Sequence, residues 1–261
     1  MNKLRLDDAV AAHAGVTRSR ARSLIIAGRV RVDGRTATKA GAAVWPTAKL
    51  EVERPRPYVS RGGEKLEGAL RAFGLDVRGM RALDVGASTG GFTDCLAAHG
   101  AEHIVALDVG YGQLDYALRE NPRVTVMERC NFRLLSDDAF GAEFDIVVID
   151  ASFISVTTLI ARARAFLSER GVIVALIKPQ FEAGKERLGS GGVVRDARVH
   201  RAVLRETLAA IGVLGLTPRA LALSPLRGPA GNVEFFVLIA HEGEAVGEAE
   251  IERLTAQAHT P

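Results

Sequence analysis

Arg81-Ala82-Leu83-Asp84-Val85-Gly86-Ala87-Ser88-Thr89-Gly90-Gly91-Phe92 decides how the larger part of this chain folds. A short apolar run with one embedded acid leads into small residues and three glycines, and then into a stretch of helical character. Strand, glycine loop and helix in that order make a nucleotide-binding turn. Glycines let the main chain approach a ligand closely, and the helix N-terminus offers free N–H groups. The spacing is G-x-x-x-G-G and not G-x-G-x-x-G, which tells against a dinucleotide cofactor and hence against a dehydrogenase. Asp84, just ahead of the first glycine, is placed to accept a hydrogen bond from a ligand amino group, directly or through water.

Outward from this loop the chain alternates apolar strand candidates, at 81–85, 103–109, 123–127, 144–150 and 171–178, with helical segments at 91–99, 156–167 and 197–211. That rhythm predicts a parallel sheet covered on both faces. Late strand candidates at 219–223 and 233–240 predict an antiparallel ending, as class I methyltransferase sheets have. Asp108 ends the second strand, 24 positions after Asp84, where a carboxylate can accept hydrogen bonds from ribose hydroxyls; its plainer reading is a strand-end cap. Asn131 follows the third strand and is a candidate for the adenine pocket. In a doubly wound sheet the carboxyl ends of the strands meet at the ligand crevice, so Asp150 and Lys178 are expected to be neighbours there. Lys65, in Val59-Ser-Arg-Gly-Gly-Glu-Lys65-Leu-Glu, and Glu234, in Gly231-Asn-Val-Glu234-Phe-Phe, stand out by context. Asp150 and Lys178 each have a bland alternative as the solubilising end of an apolar strand.

Ahead of the catalytic-looking part lies a different unit, residues 3–52. Leu6, Val10 and Ala14 share one helix face, as do Ala21, Leu24 and Ile25 on a second, with Thr17 or Ser19 as its cap and Gly28 as its stop. Val30-Arg31-Val32-Asp33-Gly34-Arg35 reads as a hairpin, and Ala48 to Val52 as a further strand. Glu53 to Tyr58, with two prolines, reads as a linker. Charge separates the parts. Residues 1–60 hold 12 Lys and Arg against five Asp and Glu, whereas the remainder holds 22 against 26, so a net +3 hides a basic head. A basic head points to a polyanionic partner.

The stretch RLDDAVAAHAGVTRSRARSLIIAGRVRVDG resembles the RNA-binding fold first known from ribosomal protein S-four. The resemblance implies Arg5, Arg18, Arg20, Arg22, Arg29 and Arg31 as phosphate-facing candidates, to which Arg61 beyond the linker is added. Asp33 stands where that family more often has Asn, and both suit the turn.

LDVGASTGGFTDCL, VVIDASFIS, IKPQFEAGK, GGVVRD and GNVEFF together resemble the TlyA family, also called the haemolysin A family, over nearly the whole chain. That resemblance implies an α/β architecture: a class I, Rossmann-like, FtsJ-type methyltransferase domain at 61–245. A small α+β S-four-type domain at 1–54 precedes it, a linker occupies 55–60, and a C-terminal tail occupies 246–261. It implies S-adenosyl-L-methionine as cofactor, held by Asp84, the loop Gly86, Ala87, Ser88, Thr89, Gly90, Gly91 and Phe92, and Asp108 and Asn131. It implies Lys65, Asp150, Lys178 and Glu234 as a catalytic tetrad for 2′-O-methylation of ribose, of cytidine in ribosomal RNA or ribosomal subunits. Glu64 departs from the family pattern, where an apolar residue is usual. A ribose hydroxyl must lose its proton as it attacks the methyl group, so Lys178 would act as general base from its neutral form. The like charge of Lys65 favours that form, and the two carboxylates oppose it.

Other chemistries lack their residues. No Asp/Asn-Pro-Pro-Tyr/Phe motif suggests attack by an exocyclic amine, and neither Cys95 nor Cys130 follows a proline or forms a metal-ligand spacing. No metal is expected. The N-terminus lacks a signal-peptide shape and no apolar run reaches the roughly 18 residues that span a bilayer, so a soluble, cytoplasmic protein without stable membrane association is expected. The rival readings are an RNA-binding protein with an inactive methyltransferase fold and a membrane-active haemolysin.

Overall fold

In a computed structural model, residues 3–52 and 57–260 are described. The chain divides into two compact units between Arg56 and Pro57. Most of the expected linker, residues 53–56, lies outside the described residues.

The N-terminal unit comprises β1 (Leu4–Arg5), α1 (Leu6–Ala14), α2 (Arg18–Ile26), β2 (Val30–Val32), β3 (Arg35–Thr36), β4 (Ala43–Val44) and β5 (Leu50–Val52). Thr17 and not Ser19 caps α2, its hydroxyl accepting from Arg20 N at 3.3 Å. The β2–β3 turn passes through Asp33 and Gly34 at φ 50° and 77°, the left-handed pair of a type I′ hairpin. The Asp33 carboxylate then accepts from Lys49 N at 2.9 Å, fastening β5 beside β2. Leu6, Val10, Ala21, Leu24, Ile25, Val30 and Val44 form its core. The two-residue strands β1 and β4, which pair with each other, have too few residues to show an alternation in sequence.

The C-terminal unit runs α3 (Arg61–Phe73), β6 (Arg81–Val85), α4 (Gly91–Ala98), β7 (His103–Leu107), α5 (Tyr116–Arg119), β8 (Val124–Met127), β9 (Phe144–Ile149), α6 (Val156–Ala163), β10 (Leu167–Ile177), α7 (Pro179–Glu182), α8 (Ala197–Val213), β11 (Thr217–Leu223), β12 (Phe235–Ala240) and α9 (Glu248–Ala258). Seven strands form one sheet in the order β11-β12-β10-β9-β6-β7-β8. All pairs from β8 to β10 are parallel, and β12 is antiparallel to both β10 and β11. The expected antiparallel ending is therefore a single reversed strand inserted before the edge. Alternate residues bury against opposite layers: Leu83, Val85, Val147 and Ile149 on one face, Ala82, Ile104, Ile146 and Val148 on the other.

Two sequence expectations are corrected. The helix read through residue 167 stops at Ala163, passes through a 3₁₀ turn, and Leu167 already pairs with Phe144 as the start of β10. Residues 246–261, set aside as a tail, contain α9, which packs on α8 and β11 with Ile251, Leu254 and Ala258 in the main core. Three apolar residues on one face of an 11-residue helix suffice to dock it.

β6 and β9 are neighbours, but the chain leaves β6 toward β7 and leaves β9 toward β10, on opposite sides. The crevice at the carboxyl ends of such a pair is where ligands bind in open α/β sheets.

Candidate active site

Gly86 turns the chain out of β6 at φ 90°. A Cβ there would sit 2.5 Å from the Asp150 carbonyl oxygen, so only glycine lets the loop lie against the end of β9. The remaining loop residues divide by role. Ser88 N donates to Asp108 Oδ2 at 2.8 Å, and Gly110 N donates to Asp108 Oδ1 at 2.7 Å. These bonds hold the second acid on the crevice. Gly90 faces Leu114 and Leu118, and Gly91 faces Ser60 and Gly63, where any Cβ would clash. Those two glycines thus serve helix packing. Phe92 lies in the core with its ring 6.1 Å from that of Phe236.

Between these parts is a cavity of about 550 Å³, lined by Gly86, Ser88, Asp108, Asn131, Asp150 and Phe153 among others. Of the residues expected to hold a cofactor, Gly86, Ser88, Asp108 and Asn131 reach its wall. Ala87, Thr89, Gly90, Gly91 and Phe92 do not; they shape the loop behind it. Asn131 also caps a 3₁₀ turn, its side chain accepting from Arg133 N at 3.2 Å. Asp84 does not line the cavity either; it is fully buried one residue before Val85 and Gly86, which do. Thr93 donates to its Oδ2 at 2.6 Å, and its Oδ1 has no partner among the described residues. Burial pushes the Asp84 carboxyl up to about 7 against the Thr93 hydrogen bond.

The four ionisable residues singled out in the sequence converge as two ion pairs. Lys65 Nζ on α3 lies 2.5 Å from Glu234 Oε2, and both side chains are buried. Lys178 Nζ lies 2.5 Å from Asp150 Oδ1 and also donates to Ser152 Oγ at 3.1 Å. Sheet register joins the pairs. Ile177 pairs with Phe235 at the last rung of β10 and β12, so Lys178 and Glu234 flank the same end of the sheet. Asp150 leaves β9 one strand over, past the Ala175–Ile149 rung. α3 is set by the Ser60 hydroxyl, which accepts from Gly62 N at 3.2 Å, and by Arg61, which donates to Arg227 O at 2.6 Å. Glu64 is half-buried beside Lys65 and leaves the Lys65 ion pair intact.

Ser152 and Phe153 were quoted in the sequence without a role. Both line the cavity. Phe153, at φ 65° and 91% exposed, holds its ring 5.1 Å from Phe181. An aromatic three positions after a strand-end acid was the signal available. The arginines expected to face RNA all lie exposed on the N-terminal unit, except Arg61, which is half-buried on α3. Arg5 and Arg18 are occupied by Asp7, at 2.9 and 3.3 Å, whereas Arg20, Arg22, Arg29 and Arg31 make no ion pair among the described residues. Among the described residues no helix is long and apolar enough to cross a membrane.

The FtsJ-like methyltransferase family matches residues 58–241, and the S4 domain matches residues 4–45. A Mycobacterium tuberculosis protein named 16S/23S rRNA (cytidine-2′-O)-methyltransferase TlyA is 47% identical over 88% of this chain and 87% of its own. Hemolysin A of Brachyspira hyodysenteriae is 39% identical over 89% of this chain and 98% of its own. Among solved structures, a Streptococcus thermophilus protein described as a hemolysin superposes with a TM-score of 0.77 at 37% identity, over 99% of this chain and 96% of that one.

Proposed function

The chain belongs to the FtsJ-like methyltransferase family and, within it, to the TlyA family, and from that membership we propose that it methylates the ribose 2′-hydroxyl of a cytidine in ribosomal RNA. The two Lys–carboxylate pairs meeting at one end of the sheet, beside the crevice of the glycine loop, carry this reading. The S4 domain supports RNA as the partner, and a ribosomal substrate would be consistent with work in the cytoplasm.

The residues present fit S-adenosylmethionine. A cavity of about 550 Å³ lies within the roughly 300–1,000 Å³ of small-molecule sites. The unpartnered Oδ1 of Asp84 is an acceptor for the cofactor amino group, directly or through water. Asp108, held by two backbone N–H groups in the cavity wall, would accept from ribose hydroxyls. When bound, the cofactor supplies an activated methyl group.

This chain's own residues then have two tasks, to orient the ribose and to take its proton. Lys178, in contact with Asp150 and Ser152, is the general base at Nζ in its neutral form, the amine taking the hydroxyl proton as the oxygen takes the methyl group. Asp150 aims that amine, and the buried Lys65–Glu234 pair fixes the far wall of the ribose site. Because the methyl donor is already activated, holding the hydroxyl in line supplies much of the acceleration.

The test is transfer of labelled methyl from S-adenosylmethionine to ribosomal subunits and to deproteinised ribosomal RNA. We expect label at one nucleotide that resists alkaline cleavage. Lys178→Ala should lower kcat roughly 10²–10⁴-fold with cofactor affinity retained. Absence of transfer by the wild-type protein, despite tight cofactor binding, would favour an RNA-binding protein with an inactive fold.

A further inference from the structure

The C-terminal unit holds a second cavity, of about 340 Å³, whose walls carry four basic side chains, Arg195, Arg227, His200 and His259. Val194 and Val233, both buried, complete its lining beside Thr260. We infer that Arg195 and Arg227, backed by the two histidines, form a phosphate subsite that takes a backbone phosphodiester of the RNA strand beside the target nucleotide. This inference rests on the RNA methyltransferase reading above.

The donors are free. Both arginines are exposed, and among the described residues neither pairs with a carboxylate. Their side chains touch only main-chain oxygens, Arg195 Nη1 to Ser190 O at 3.5 Å and Arg227 Nη1 to Gly231 O at 3.3 Å. A guanidinium has five N–H donors, so most of each fork remains available. The neighbouring acid, Asp196, is taken by Arg198 at 2.9 Å and by capping α8. Among the described residues that line the cavity, none is acidic.

The site is also built. Asn232, buried, accepts from Val194 N at 2.9 Å and donates to Gly192 O at 3.2 Å, tying the loop of Arg195 to the loop of Arg227. Gly228 N donates to Asn232 O at 2.9 Å and closes the second loop. His200 is fully buried, with Nδ1 2.8 Å from His259 Nε2 and its own Nε2 unpartnered among the described residues. Burial, then the charges of His259 and Arg227, hold the His200 imidazole down to about 4. Two arginines on tied loops reach a ligand with little ordering left to do.

Position gives the occupant. A Cβ on Gly228, the residue after Arg227, would sit 2.6 Å from Glu234 Oε1, so this loop packs on the tetrad carboxylate itself. Arg227 O is the acceptor for Arg61 at the start of the helix that carries Lys65. A strand presenting one ribose to the tetrad therefore runs past this loop. Exposed arginine forks suit a phosphodiester, whose two free oxygens take bidentate bonds while its chain continues outward.

The experiment measures the affinity of the full chain for a fluorescein-labelled single-stranded RNA across a range of KCl. Wild type is compared with Arg195→Ala/Arg227→Ala and with Arg195→Lys/Arg227→Lys. We expect the alanine pair to weaken RNA binding about ten-fold or more and to lower the salt slope by about one unit, with S-adenosylhomocysteine affinity and melting temperature unchanged. The lysine pair should recover the slope and only part of the affinity. Unchanged RNA affinity and slope in the alanine pair would overturn the site. So would saturable binding of inorganic phosphate, read from the His200 and His259 ring resonances, without any change in RNA affinity, which would mark a small-anion site. Methyl transfer is not the readout, so a wild-type protein that transfers nothing would count against the preceding proposal and not against this one.

Discussion

Lys65 and Glu234, 169 positions apart in the chain, meet with Nζ 2.5 Å from Oε2, both side chains buried. Such a pair is held by geometry and not by a surplus of electrostatic energy, because burying each charge costs about as much as their attraction returns. Removing one partner strands the other. Glu234→Ala is expected to destabilise the protein by about 3–5 kcal/mol and abolish methyl transfer. Lys65→Met/Glu234→Leu should regain most of the stability and none of the activity. Urea denaturation of the three proteins, beside a transfer assay, checks both halves.

Gly86 tests the close approach of the loop to β9. Alanine there meets the Asp150 carbonyl oxygen at 2.5 Å and must hold φ 90°. The strain alone is about 1–3 kcal/mol, and the contact pushes Asp150 away from Lys178. Gly86→Ala should lower cofactor affinity, measured by calorimetry with S-adenosylhomocysteine, more than Gly90→Ala does.

Asp84 gives cofactor binding a pH dependence. Its folded-state carboxyl is raised to about 7 by burial, above its unfolded value. A raised carboxyl stabilises the free protein fully at low pH. That contribution is lost as pH climbs from about 4 to about 7, because the folded state keeps a proton the unfolded state releases. A ligand ammonium selects the ionised form. Affinity for S-adenosylhomocysteine is thus expected to rise about ten-fold from pH 6 to pH 8, and to be flat for Asp84→Asn. An equally steep rise in the variant would remove Asp84 from the cofactor site.

His200 gives the free protein an acid limit of the opposite sign. Burial first, then His259 and Arg227, lower its imidazole to about 4, with Asp196 opposing. A histidine lowered on folding is neutral in the native state and protonated in the unfolded state between about 4 and 6.5. Stability is therefore lost as pH falls through that window, by about 3 kcal/mol at its lower end. His200→Phe should flatten this part of the profile of melting temperature against pH.

Much of this protein was readable along the chain because its signals are local. The glycine loop after an apolar strand, the Asp33-Gly34 turn and the Thr17 cap each depend on the conformations open to a few adjacent residues. The types of the four paired residues were also visible, since charges at the ends of apolar runs stand out. What only the tertiary structure decided is which of them pair. Lys65 takes Glu234 and Lys178 takes Asp150 because β12 is inserted, reversed, between β10 and β11, and the Ile177–Phe235 rung sets Lys178 beside Glu234. The division of the loop into residues that face the cavity and glycines that face α3 or α5 depends on what packs behind it. So does the fate of residues 248–258, whose few apolar positions become a core helix only against α8 and β11. Register and packing arise between segments far apart in sequence, and no stretch of the chain carries them alone.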